Sequence, residues 1–142
     1  MKKKKVLFVC VHNIARSQMA EAFLKKLAGE KFEVESAGLE PGKLNPLVVE
    51  VMAEVGIDIA KARSKSVYDL YRRGERFDYV ITVCDEASAE RCPVFPGPGR
   101  KIHWGFNDPG RIEGNREEKL AQIRVIRDNI RSKVREWLTR KP

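Results

Sequence analysis

Cys10 closes the apolar run VLFVC, five residues VHNIA follow it, and Arg16 and Ser17 come next. That spacing suits a nucleophile and an anion site built by one loop. If the run is a strand and a helix follows, the turn between them aims backbone N–H groups and the positive helix end at an oxyanion above the thiol. Arg16 adds a two-pronged grip on two oxygens. A cysteine at a helix N-terminus beside a guanidinium is expected to hold thiolate at neutral pH, with Ser17 donating a hydrogen bond to the sulfur. The cradle is expected from Val11, His12, Asn13, Ile14, Ala15 and Arg16. A lone cysteine would be read as a small core residue; the full pattern of strand, Cys10, five residues, Arg16-Ser17 and helix outweighs that reading.

Cys84 and Asp108 are expected at the same edge as Cys10, with Cys92 a third thiol further along the chain. Cys84 is expected to end a third strand as Cys10 ends the first, so that both thiols face one side of a parallel sheet. Asp108, in HWGFNDPG, follows a fourth strand, and Pro109 biases it towards extended backbone. A carboxyl there can protonate a departing oxygen, although Asp-Pro alone signals only a turn. Cys92 lies eight residues after Cys84. A helix between them would separate their Cα atoms by ~12 Å at 1.5 Å per residue, beyond the roughly 7 Å that a disulfide allows. An oxidised Cys84–Cys92 pair therefore requires DEASAERC to loop or melt, which the nearby Pro93, Pro96 and Pro98 tolerate. His12 and His103 have no recognisable partner and are read as structural, and Trp104 and Phe106 as packing beside the site. No closely paired ligand motif argues for zinc.

The elements that must position these groups follow from periodicity. Residues 4–9 read as a buried parallel strand. Met19, Ala20, Phe23, Leu24 and Leu27 then recur at helical spacing, with Gly29 as a stop. FEVESAG, 32–38, alternates as a second strand. Asn45 and Pro46 open a helix whose face is Leu47, Val48, Val51, Met52 and Val55 and which Gly56 closes. Strands follow at 77–83 and 101–104, with DEASAERCPVFPGPG between them opening as a helix and ending in turns at its Pro and Gly residues. Asn115 and Glu118 resemble a capping box ahead of a stripe of Leu120, Ile123, Ile126, Ile130, Val134 and Trp137. Alternating strands and helices predict an α/β fold: a single domain over 1–142 with a central, mainly parallel four-stranded sheet flanked by helices.

Composition narrows the function classes. The chain of 142 residues is 42% hydrophobic and 34% charged, which suits one packed core. Its net charge of +8 is spread over both halves and has no basic and aromatic interleaving, so nucleic-acid binding is a minority reading. The lysine run at 2–5 with VLFVCV imitates an export signal, but only six apolar residues precede His12, against the roughly 7 to 15 such a signal needs. No segment approaches the ~20 apolar residues of a membrane span. A cytoplasmic monomer is expected, where three cysteines are reduced and either reactive or simply buried.

Cys10, five residues, Arg16 and Ser17 resemble the loop of the low-molecular-weight protein tyrosine phosphatases and of the arsenate reductases that share their fold. VCVHNIARSQMAEAF, Cys84, Cys92 and HWGFNDP are more similar to the thioredoxin-coupled arsenate reductases. The phosphatases carry a second loop cysteine where this chain has Ala15, and aromatics after Asp-Pro where it has Gly110. The resemblance covers nearly the whole chain. It implies that Cys10 attacks arsenate, Asp108 protonates the leaving oxygen, Cys84 displaces arsenite, and Cys92 resolves the resulting disulfide for thioredoxin. It implies no required cofactor, with a potassium ion at Asn13, Glu21 and Ser36 as in some members. The runner-up is a phosphatase using Cys10, Arg16 and Asp108 on phosphomonoesters.

Overall fold

The computed structural model describes residues 2–96 and 99–140; the expected turn at Gly97 and Pro98 lies outside them. Four strands, β1 (Lys4–Cys10), β2 (Phe32–Gly38), β3 (Tyr79–Thr82) and β4 (Arg100–His103), form one sheet in the order β2-β1-β3-β4, with every pair parallel. The helices are α1 (Arg16–Ala28), α2 (Pro46–Ala53), α3 (Val67–Arg72), α4 (Glu86–Ala89) and α5 (Arg116–Thr139), with a 3-10 turn at Pro109–Arg111. The sheet class, its strand number and the flanking helices are those expected from the sequence.

The central strands are apolar on both faces because both are covered. Val6, Phe8 and Cys10 pack with Tyr79 and Ile81 into a large cluster that includes Phe23 and Leu24 of α1 and the buried stripe of α5. Leu7, Val9 and Val80 point the other way, into a smaller cluster with Val67 and Leu70 of α3, Phe77, Cys92 and Phe95. Leu120, Ile123, Ile126, Ile130, Val134 and Trp137 are all buried along α5, each contributing about 1.5–3 kcal/mol for the larger side chains. The helix opens on the expected capping box of Asn115 and Glu118.

Most boundaries fall within a few residues of expectation, and three differences bear on the site. β3 spans four residues, not 77–83, so Cys84 lies two residues beyond the strand rather than at its end. Phe77 is instead a buried anchor of the smaller cluster. Helix α4 is a single turn capped by Asp85, and an irregular chain carries Cys92. Helix α3 had no counterpart in the periodicity: it is six residues long and buries only Val67 and Leu70, too few for a repeat to register.

Candidate active site

The five residues between β1 and α1 are turned inside out by the segment that follows β2. The carbonyls of Cys10, Val11, His12 and Ile14 accept from the amides of Leu39, Glu40, Gly42 and Asn45 at 3.1, 2.7, 3.0 and 3.1 Å. The Asn13 carbonyl accepts from Nε2 of Gln18 at 3.0 Å. With the carbonyls tied to residues 39–45, the amides of His12, Ile14, Ala15 and Arg16 have no protein acceptor among the described residues and are free to bind an anion. A ring of inward N–H groups at a helix N-terminus is an anion cradle.

Cys10 sits at the base of this ring, 3% exposed. The Asn13 amide donates to its Sγ at 3.2 Å, and Ser17 Oγ lies 2.9 Å from it. Asn13 adopts φ 57°, the left-handed region that Asn tolerates better than most residues. Its side chain spans the loop, donating to Ser17 Oγ at 2.7 Å and Ser36 Oγ at 2.9 Å and accepting from the Lys65 amide at 3.0 Å. Ser36 in turn donates to Glu21 Oε1 at 2.5 Å, and Lys25 Nζ lies 2.5 Å from Glu21 Oε2. Asn13, Ser36 and Glu21 thus meet, with Lys25 at the end of the chain of contacts.

Two residues that bind this loop in place were not singled out from sequence. A Cβ on Gly38 would lie 2.8 Å from the Val11 carbonyl oxygen and 2.9 Å from the Asn13 nitrogen, so only glycine lets β2 approach the loop so closely. Gln18 is 4% exposed and bridges the Asn13 and Arg63 carbonyls through Nε2. A strand ending in glycine was the only sequence signal for the first; a polar residue on the inward side of α1 was the signal for the second.

Arg16 is 7% exposed, and its Nη1 donates to the Phe106 carbonyl at 3.1 Å. Its Nη2 is 3.8 Å from Asp108 Oδ2. Asp108 serves the turn as well: Oδ1 accepts from the Gly110 amide at 2.8 Å, while Oδ2 faces Arg16 and Arg111. The turn and the cleft-facing carboxyl, weighed as alternatives in the sequence, are therefore one arrangement. Arg16 and Asp108 line a cleft of about 630 Å³ with Val11, His12, Asp85 and Asn107. The His12 ring is held by the Glu40 carbonyl at 2.8 Å, and His103 by Thr82 Oγ1 at 2.7 Å. Trp104 is buried against Phe8 and Trp137, while Phe106 contributes the carbonyl that aims Arg16.

The other two thiols divide between the faces of the sheet. Cys84 is fully buried in the same cluster as Cys10. Burial pushes its thiol up to about 11, with the charge of Cys10 adding to the effect and Arg16 opposing it. Cys92, 5% exposed, packs in the opposite cluster, and burial pushes it up to about 11 as well, against the pull of Lys101. All three cysteines are reduced. A nucleophile, an anion cradle, a fixed cation, a carboxyl and a second buried thiol beside the first can bind a tetrahedral oxyanion, attack it, protonate its leaving oxygen and exchange the sulfur bond so formed.

Residues 5–141 match the low molecular weight phosphotyrosine protein phosphatase family. The chain belongs to that family. Within its range, the chain is 41% identical over 136 residues to an arsenate reductase of Halalkalibacterium halodurans, covering 95% of each. A solved arsenate reductase in a phosphate-binding state has a TM-score of 0.75 and 30% identity, covering 98% of this chain and 99% of that one. The thioredoxin-dependent arsenate reductase of Corynebacterium glutamicum has a TM-score of 0.62 and 33% identity, covering 94% of this chain and 62% of that one. Among the described residues no helix is long and apolar enough to cross a membrane.

Proposed function

We propose that this protein reduces arsenate to arsenite through Cys10, Cys84 and Cys92, with thioredoxin as reductant. The observation that carries the reading is Cys84, fully buried in the same cluster as the thiol at the base of the anion cradle: phosphoester hydrolysis requires one thiol, whereas reduction of arsenate requires a second to take up the first as a disulfide. The arsenate reductase relatives support the substrate, and the thioredoxin-dependent one supports the electron donor.

Arsenate is held by the amides of His12, Ile14, Ala15 and Arg16 and by the Arg16 guanidinium. The Cys10 thiolate attacks arsenic, forming a sulfur–arsenic bond, while Asp108 protonates the departing oxygen so that water leaves. The Cys84 thiolate then attacks Cys10 sulfur. The sulfur–arsenic bond breaks with its electron pair going to arsenic, giving arsenite and a Cys10–Cys84 disulfide. Cys92 attacks Cys84, returning Cys10 as thiolate, and the Cys84–Cys92 disulfide is reduced by the two thiols of thioredoxin. Fully reduced protein mixed with arsenate alone is expected to yield about one arsenite per chain, with Cys84 joined to Cys92 by mass spectrometry. No arsenite and three free thiols would overturn the reading.

A phosphatase reading has one observation in its favour. The cleft of about 630 Å³ exceeds what a bare oxyanion fills and admits the organic part of a phosphomonoester. It predicts hydrolysis that survives replacement of both Cys84 and Cys92 by serine.

Asn13, Glu21 and Ser36 do not call for potassium in this chain. The Lys25 ammonium already neutralises Glu21, and the Asn13 side-chain oxygen is taken by the Lys65 amide. Replacing potassium chloride by choline chloride at equal ionic strength is expected to leave turnover and melting temperature unchanged; a potassium-specific rise in either would count against this assignment.

A further inference from the structure

We infer that Glu40 and Arg91 are positioning residues for Cys92: their ion pair clasps the segment that carries this thiol to the catalytic loop and keeps it on the far face of the sheet. The role of that clasp in turnover rests on the relay proposed above, but the sequestering of the thiol does not.

Glu40 is anchored to the loop at both ends of its peptide unit. Its amide donates to the Val11 carbonyl at 2.7 Å, and its own carbonyl meets the His12 ring at 2.8 Å. From that fixed point its carboxylate takes Arg91 Nη2 at 3.0 Å, spanning 51 residues of sequence. Arg91 immediately precedes Cys92. On the other side, Tyr68 of α3 donates its hydroxyl to the Arg91 carbonyl at 3.3 Å. One residue is therefore tied by its side chain, through Glu40, to the catalytic loop and by its backbone to α3, and the thiol next to it is buried in the cluster that α3 completes.

Arg91 and Glu40 are themselves 48% and 57% exposed, so the pair can part without opening the core. Cys84 lies in the other cluster, so Cys92 must leave its own to reach it, and the clasp on Arg91 opposes that departure. A clasp of this strength slows the premature joining of Cys84 to Cys92 in the resting protein yet yields readily once Cys84 is engaged. Exposed pairs of this kind set equilibria by factors of up to about five.

The test is alkylation of Cys92 by iodoacetamide in the resting, reduced protein, followed by mass spectrometry. In Glu40→Gln and, independently, in Arg91→Met, Cys92 should be labelled about three- to fivefold faster than in the parent. Arg91→Lys should restore most of the protection, and Glu40→Gln combined with Tyr68→Phe should exceed either change alone. Labelling of Cys10 and Cys84 should stay at the parent rate. In single turnover with arsenate, Glu40→Gln should leave the arsenite burst unaltered while the Cys84–Cys92 disulfide appears faster. Equal Cys92 labelling in the parent, Glu40→Gln and Arg91→Met, all folded by circular dichroism, would overturn the inference. Faster labelling with no arsenite from any of them would uphold the clasp and remove the reductase reading instead.

Discussion

At the scale of single residues, the site depends on backbone direction more than on the reactive side chains. Gly38 lets β2 back the catalytic loop at van der Waals distance, so Gly38→Ala is expected to push Val11 and Asn13 inwards. Overpacking of that kind costs about 1–3 kcal/mol, and because it tilts the amides that hold the anion, arsenite formation should fall by at least tenfold. Steady-state kinetics on the folded variant checks this. Cys84 supplies a second prediction. Its thiol titrates near 11 because it is buried, so at neutral pH nearly all of it is protonated and the attacking thiolate is scarce. Arsenite release in single turnover should therefore rise about tenfold per pH unit from 7 to 9; a flat profile would place another step in control. All three cysteines and Arg16 were singled out from type and spacing. Gly38 was not, since its importance lies in what approaches it from another element.

Among the elements, the long terminal helix was the most legible, because its capping box and apolar stripe are local features. What binds it to α2 was not. Arg127 is 7% exposed and reaches the Val51 carbonyl at 2.8 Å and Glu54 at 2.9 Å, while Arg124 takes the same carboxylate in a bidentate grip at 2.8 and 2.9 Å. The Arg124 hydrogen bonds, against an opposing desolvation and with help from Arg127, hold Glu54 down at about 2. A carboxylate with a depressed pKa stabilises the fold above its ordinary value of 4.5 and loses that contribution as pH falls towards 2. Thermal melts are expected to drop across this window, and Glu54→Gln should remove that part of the dependence while lowering the melt at pH 7. Helix α3 went unpredicted because short elements are decided by the surface they land on.

For the molecule as a whole, the sheet divides the core, and the proposed relay would have to cross that division. Cys10 and Cys84 share one face and Cys92 belongs to the other. Joining Cys84 to Cys92 must extract a buried side chain from among Val67, Leu70, Phe77 and Phe95. The oxidised protein should accordingly show faster amide exchange over residues 86–96 and α3, with α1 and α5 unchanged. Hydrogen exchange on both redox forms measures this, and identical protection in the two would contradict a relay across the sheet.

The sequence by itself determined the parallel α/β order, the loop after the first strand and the thiol at its base, because each is written in neighbouring residues with a short-range physical cause. Its eight-residue spacing set a condition: a continuous helix between Cys84 and Cys92 would hold the two thiols too far apart for a disulfide. Only the tertiary structure decided that the loop carbonyls are pulled outwards by residues 39–45, that Asp108 serves turn and cleft together, that Gly38 is the backing of the site, and that Cys92 begins on the wrong face. Each of these is a contact between segments far apart in the chain, and the strength and direction of such a contact depend on where both partners come to rest.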